Sequence, residues 1–228
     1  MDGFKQAAGE AAAEMVESGM VVGLGTGSTA VWAVRRIGAK LREGSLQNIS
    51  AVATSVATAE EARLVGIPLL GEEEAPTVDL TIDGADEVDP QWNLIKGGGG
   101  ALLREKIVAE MSRRFVVVVE ERKWVSRLGA AFRLPVEVVE FGWTGQARFL
   151  LDQWGAEAAV RLRPDGSRFR TDQGNLILDC AFPGGIGNPA NVAQRLSSRA
   201  GIVEHGLFLG MTGAVVTAGL DGVRVDRR

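Results

Sequence analysis

The chain has 228 residues, enough for one sizeable core or for a main domain carrying a smaller one, and its 46% apolar and 24% charged residues describe a self-folding globular protein, not a disordered one. A net charge of −4 with Lys and Arg dispersed leaves no footprint for nucleic acid, so an anionic ligand needs a local positive site. One cysteine, Cys180, excludes an intrachain disulfide framework, and one histidine, His205, excludes His-based metal clusters, triads and relays, leaving acid-base chemistry to carboxylates and lysines.

In chain order, helix-forming residues at helical spacing predict a helix over 4–18, followed by the short apolar strand 20–24. A second helix over 28–43, with Ser28 or Thr29 suited to cap it, leads to a strand over 49–54 and a helix over 58–65. Strands are expected at 67–70 and 78–82, a helix at 101–112, and the continuous run Phe115-Val116-Val117-Val118-Val119 reads as a strand buried on both faces. Strands separated by helices imply right-handed crossovers and an open, mainly parallel, Rossmann-like sheet. Beyond Lys123 the order changes to strand (134–141), helix (144–154), strands (158–163 and 176–181) and helix (189–196), which suggests an inserted α+β domain of ferredoxin-like type. The division expected is 1–126 plus 203–228 for the α/β domain and 127–202 for the smaller one. No apolar stretch approaches the ~20 residues of a membrane span and the first five residues do not read as a secretory leader, so the expectation is a cytoplasmic protein without membrane contact.

Four segments carry chemistry. The first, Gly23-Leu24-Gly25-Thr26-Gly27-Ser28-Thr29-Ala30, lies at a strand-to-helix junction. Its glycines allow close backbone approach, the helix start offers N–H groups, and Thr26, Ser28 and Thr29 add hydroxyls, so a phosphate cradle is expected. Gly25-x-Gly27-x-x-Ala30 also fits a dinucleotide fingerprint, but the next strand ends in Thr54-Ser55 without the carboxylate that would hold ribose hydroxyls; a purely structural turn also stays open. The second, Asp83-Gly84-Ala85-Asp86-Glu87, follows a strand where open α/β sheets place ligands. An acidic turn, a metal loop and a partner for sugar hydroxyls are all open, although the spacing is not that of an EF-hand.

The third, Lys96-Gly97-Gly98-Gly99-Gly100, is costly in chain entropy unless something approaches its backbone; a mobile surface loop is the alternative. Glu105 follows about one turn into the next helix. Ala101, Val108 and Ala109 lie on its side while Arg104 and Lys106 point away, so partial desolvation would strengthen it as a base; a solvated helix glutamate fits the spacing as well. The fourth is Lys123, beyond the valine strand, able to hold an anionic oxygen or simply to be solvated.

Taken in order, Gly25-Thr26-Gly27-Ser28-Thr29, Asp83-Gly84-Ala85-Asp86-Glu87, Lys96-Gly97-Gly98-Gly99 and Arg104-Glu105-Lys106 closely resemble ribose-5-phosphate isomerase of the A type. Thr54-Ser55, Glu121-Arg122-Lys123, Leu134-Pro135-Val136-Glu137-Val138 and Thr171-Asp172-Gln173-Gly174-Asn175 continue the resemblance over nearly the whole chain. It implies interconversion of D-ribose 5-phosphate and D-ribulose 5-phosphate in the non-oxidative pentose phosphate pathway, without metal or other cofactor, in a homodimer or homotetramer. By the same resemblance Glu105 is the base that carries a proton from C2 to C1 through an enediolate, Lys96 stabilises the oxyanion and Asp83 helps to open the ring. Thr26, Gly27, Ser28, Thr29 and Lys123 grip the substrate, while Gly84, Ala85, Asp86, Gly97, Gly98 and Gly99 complete the binding residues. The fourth glycine, Gly100, departs from the pattern and is expected to loosen the loop. A non-catalytic sugar-phosphate sensor, a sugar-phosphate deaminase or a coenzyme A transferase are the other readings, and neither end of the chain supplies the basic helix-turn-helix a regulator would need.

Overall fold

The computed structural model describes residues 2–71, 73–74 and 77–228. Along the chain the elements are α1 (Asp2–Ala13), β1 (Val21–Leu24), α2 (Ala30–Arg42), β2 (Ser50–Ala53), α3 (Val56–Leu64), β3 (Leu80–Gly84), β4 (Glu87–Val88), β5 (Leu94–Ile95), α4 (Leu102–Glu110) and β6 (Phe115–Glu120), which runs into a 3-10 turn at Glu121–Lys123. They continue with β7 (Leu134–Val138), α5 (Trp143–Trp154), β8 (Glu157–Val160), β9 (Leu176–Ala181), α6 (Pro189–Ser197), β10 (Ile202–His205), β11 (Leu207–Phe208), β12 (Ala214–Gly219) and β13 (Gly222–Arg227). Two compact units share them, one comprising Met1–Ala85, Arg104–Lys123 and Met211–Arg228, the other Asp86–Leu103 and Trp124–Gly210.

The first unit is built on a six-stranded sheet in the order β13-β12-β6-β3-β1-β2. All neighbours are parallel except β13, which folds back on β12 through a two-residue hairpin loop. Every residue of β6 is buried, as its β-branched run requires of a strand with neighbours on both edges and layers on both faces. The core is filled by small and branched side chains, among them Ala8, Ala12, Val22, Ile37, Leu80 and Val216. The expected strand at 67–70 shrinks to a single bridge, Leu69 with Ala51, because Pro68 has no N–H to extend a ladder.

The position of β1 decides where a ligand can bind in this unit. From β1 the chain passes through α2 to β2 on one side, whereas β3, on the other side, leads on through α4 to β6. The gap between the carboxyl ends of β1 and β3 is therefore the topological switch point of the sheet, where open α/β folds hold their ligands.

In the second unit β7, α5, β8, β9, α6 and β10 form a four-stranded sheet of order β10-β7-β9-β8 with antiparallel neighbours. The βαββαβ succession with this order is ferredoxin-like. Its own core contains Leu134, Val136, Leu150, Leu178, Val192 and Leu196. A second, three-stranded sheet, β11-β5-β4, belongs to the same unit. The units therefore divide elsewhere than the sequence suggests: β10 completes the small sheet instead of returning to the large one, and 86–103 joins the second unit. Two-residue strands carry no periodicity to read, so β4, β5 and β11 are invisible in the sequence.

Candidate active site

At the switch point of the first unit, the loop after β1 is tied to the end of β3. Asp83, fully buried, accepts hydrogen bonds through Oδ1 from the backbone N–H of Thr26 (3.0 Å) and of Gly84 (2.7 Å). This approach requires glycine at 25, since a Cβ there would lie 2.3 Å from Asp83 Oδ1 and 2.5 Å from its Cα. Thr26 turns its hydroxyl inward onto Thr54 Oγ1 (2.7 Å), Ser55 Oγ (2.8 Å) and Thr58 Oγ1 (3.1 Å). Ser55 is the N-cap of α3, accepting from Thr58 N–H at 3.0 Å, and Thr58 Oγ1 donates to Gly25 C=O at 3.0 Å.

These bonds change the expected phosphate cradle. Thr26 commits both its N–H and its hydroxyl to the protein, so it fixes the loop instead of reaching outward. Gly27 and Ser28 are exposed and Thr29 is half-buried. Thr29 occupies the N-cap position of α2, but its side chain makes no capping bond, contrary to the expectation that Ser28 or Thr29 would cap. Exposed Ser28, the first turn of α2 and Thr29, whose side chain makes no capping bond, are thus the donors this loop does not commit as it commits Thr26.

Glu105, on α4, is 4% exposed, and Val108 and Ala109, on its side of the helix, are buried as well, whereas Ala101, expected on that side, is buried but precedes the helix. The solvated-glutamate reading is excluded by this burial. Lys106 is buried too, whereas Ile107 and Glu110 face outward. Lys123 ends the 3-10 turn after β6 and is half-buried. Gly84 and Ala85, half-buried, complete the acidic loop within this unit.

In the second unit Asp86 accepts from Gly98 N–H through Oδ2 at 2.7 Å, while its own N–H donates to Ile95 C=O at 2.8 Å. The neighbouring Glu87 plays a structural part. Its buried carboxylate accepts from the N–H groups of Gly129 (2.6 Å), Ala131 (2.9 Å) and Phe132 (2.6 Å). Lys96, only 1% exposed, holds its Nζ 5.5 Å from the centre of the Phe208 ring, and its N–H donates to Gly206 C=O at 2.9 Å. Gly97 is buried, and Gly98 and Gly99 are exposed.

Gly100 does not loosen this loop. It is buried with φ +83°, and a Cβ there would meet Phe169 Cζ at 2.4 Å, so glycine lets an aromatic ring clamp the loop's end. Sequence spacing does not single out Arg161, whose Nη1 donates to Gly97 C=O (2.8 Å) and Gly98 C=O (3.0 Å). It lies just beyond a short strand, and only the pairing of β8 with β9 brings it to its partner Asp179.

His205 is buried, with Nδ1 accepting from Leu207 N–H at 3.3 Å and Nε2 3.2 Å from Ser197 Oγ, which ties it to the end of α6 and the start of β11. Among the described residues no group of three His, Cys, Asp or Glu is placed to hold a metal ion. Nor, among them, is any helix long and apolar enough to cross a membrane.

A family model described as ribose 5-phosphate isomerase A (phosphoriboisomerase A) matches residues 50–222. The ribose-5-phosphate isomerase A of Chloroflexus aurantiacus is 54% identical over 220 residues, which cover 96% of this chain and 91% of that protein. Among solved structures, the ribose 5-phosphate isomerase from Plasmodium falciparum matches with a TM-score of 0.96 at 36% identity, covering 100% of this chain and 99% of its own. A D-ribose-5-phosphate isomerase in complex with phospho-erythronic acid matches with a TM-score of 0.95 at 34% identity, covering 99% and 98%.

Proposed function

The chain belongs to the ribose 5-phosphate isomerase A family, and from that premise we infer that it interconverts D-ribose 5-phosphate and D-ribulose 5-phosphate with Glu105 as the base. Full-length kinship with isomerases disfavours the sensor, deaminase and transferase readings. The observation that supports the base is the burial of Glu105, which is 4% exposed with Val108 and Ala109 buried on the same side of α4, so that its carboxylate is withdrawn from bulk water and can meet a substrate proton without competing solvent.

In this reading Glu105 takes the proton from C2 of the open-chain aldose. The electron pair moves into a C1–C2 double bond and leaves negative charge on O1. Glu105 then returns the proton to C1, while the O2 hydroxyl passes its proton to O1, so that O1 becomes the C1 hydroxyl and O2 the ketose carbonyl. The net reaction is neutral in electrons, so no redox co-reactant is needed. Lys96 and backbone N–H groups of the glycine loop stabilise the charge on oxygen, and Asp83 assists ring opening and hydroxyl proton movement. Ser28, Thr29, the first turn of α2 and Lys123 hold the phosphate, with Thr26 and Gly27 shaping the loop, and Gly84, Ala85 and Asp86 lining the sugar. Binding energy at the phosphate then orients C1 and C2. The place we assign it is the non-oxidative pentose phosphate pathway, in the cytoplasm and as a homodimer or homotetramer.

The test is an isomerase assay with ribose 5-phosphate in excess chelator. The wild type should remain active, and Glu105→Gln should lose at least ~10²-fold in kcat with little change in KM. Activity that needs added metal, or an unimpaired Glu105→Gln enzyme, overturns the mechanism.

A further inference from the structure

The loop that carries Lys96 is gripped by a side chain 64 residues further along the chain. Arg161 directs Nη1 at two consecutive carbonyls, those of Gly97 and Gly98. The rest of its guanidinium is fixed by Asp179, with Nε on Oδ2 at 2.9 Å and Nη2 on Oδ1. Its backbone is held as well: the N–H donates to Ile177 C=O (2.8 Å) and the C=O accepts from Phe169 N–H (2.9 Å). The Phe169 ring lies 5.8 Å below the guanidinium and against Gly100. With the side chain 14% exposed, this is a locked fork, and a lysine could not span the carboxylate and both carbonyls.

A trans peptide points its C=O and the following N–H in opposite directions, and the described chain has no cis bonds. The Gly97–Gly98 peptide is accordingly clamped at both ends, its C=O on Arg161 and its N–H on Asp86 Oδ2. The Gly98–Gly99 peptide has its C=O on Arg161 too, which turns the Gly99 N–H away from Arg161, on an exposed residue. Cationic bonding at the carbonyl end also polarises that peptide and strengthens its N–H as a donor. Asp179 neutralises the guanidinium, so the loop gains orientation without net charge.

We infer that Arg161 is a positioning residue for the isomerisation, holding the Gly97 and Gly98 carbonyls so that the Gly99 N–H is presented to the enediolate oxygen. The inference rests on the isomerase reading above. Arg161 touches no reacting atom and acts through the loop alone.

The experiment compares wild type, Arg161→Lys and Arg161→Met in kcat and KM for ribose 5-phosphate, in inhibition by inorganic phosphate, and in affinity for phospho-erythronic acid. The carboxylate of that probe presents negative charge on the oxygens of a planar group, as the planar O1–C1=C2–O2 enediolate does. Both variants should lose on the order of 10–100-fold in kcat, with KM within about threefold. Affinity for phospho-erythronic acid should fall with kcat while phosphate inhibition is unchanged, a split that general damage to the fold would not produce. Thermal melting identifies folded variants, and if Arg161→Met does not fold, Arg161→Lys carries the test. A folded variant whose kcat and phospho-erythronic acid affinity stay within about twofold of wild type overturns the inference, as does a parallel loss of phosphate affinity. An inactive wild type overturns the functional reading along with it, whereas an active wild type with unchanged variants overturns this inference alone.

Discussion

At Gly25 the physical constraint is unusually direct, because the atoms a Cβ would strike include the Asp83 Cα as well as its carboxylate. No side-chain rotation relieves a clash with backbone, so Gly25→Ala must push the loop after β1 away from β3 and lengthen the Thr26 N–H to Asp83 bond. Overpacking of this kind costs about 1–3 kcal/mol, and a chain of this size loses about 2–4 °C in Tm per kcal/mol. Gly25→Ala should therefore melt several degrees lower and bind ribose 5-phosphate more weakly, read as a higher KM. An unchanged Tm and KM would mean that the loop tolerates displacement and that Asp83 does not set it. At this scale the sequence is informative wherever an arrangement is local. Glu105 and its apolar neighbours are separated by helical spacing, and the helical wheel places them on one face. The inward turn of Thr26 and the grip of Arg161 are not legible, since each depends on a distant segment, Thr54 after β2 and the Gly97 loop after β5, whose approach no spacing reveals.

At the scale of elements, the valine run of β6 announces its position because a strand with two neighbours and two covered faces demands such residues. β7 carries the opposite signal, a glutamate buried in mid-strand. Glu137 accepts from Thr171 Oγ1 and Asn175 Nδ2, both at 2.9 Å and both on Oε1, while Oε2 has no hydrogen-bond partner among the described residues. Burial raises its pKa above the ordinary 4.5 and outweighs the opposing bonds from Asn175 and Thr171; Glu204 and Asp172 push in the same upward direction. A carboxyl whose folded pKa is raised favours the fold fully below its unfolded value, and that contribution is lost as pH rises through the folded value. Wild-type Tm should accordingly fall as pH climbs from about 4.5 through this window, for the part due to Glu137. Glu137→Gln keeps an acceptor for Thr171 and Asn175 but cannot ionise, and a buried neutral amide costs less than a buried charge. Its Tm relative to wild type should rise with pH across a melting series; a constant difference from acid to neutral pH would show that Glu137 does not titrate there.

For the molecule as a whole, the two units have separate cores, one around Val22, Ile37 and Leu80, the other around Val136, Leu150 and Leu178. The change of element order after Lys123 makes this two-part plan legible in the sequence, but it suggests one continuous insertion for the smaller part. The second unit instead takes in 86–103 as well, because β5 pairs with β11 and β4 pairs with β5. The distribution of tryptophan makes the consequence measurable. Trp92, Trp124, Trp143 and Trp154 belong to the second unit and Trp32 to the first, so tryptophan fluorescence reports mainly on the second while far-UV circular dichroism reports on both. Leu178 is fully buried at the centre of β9, between Val136 of β7 and Val160 of β8. Leu178→Ala should destabilise the second core by about 2–5 kcal/mol, the range for an unrelaxed cavity in place of a leucine. In urea the fluorescence midpoint should then move to lower concentration by more than the circular dichroism midpoint does, since the first core loses no contact of its own. Coincident shifts of both probes would show instead that the two cores unfold as a single cooperative system.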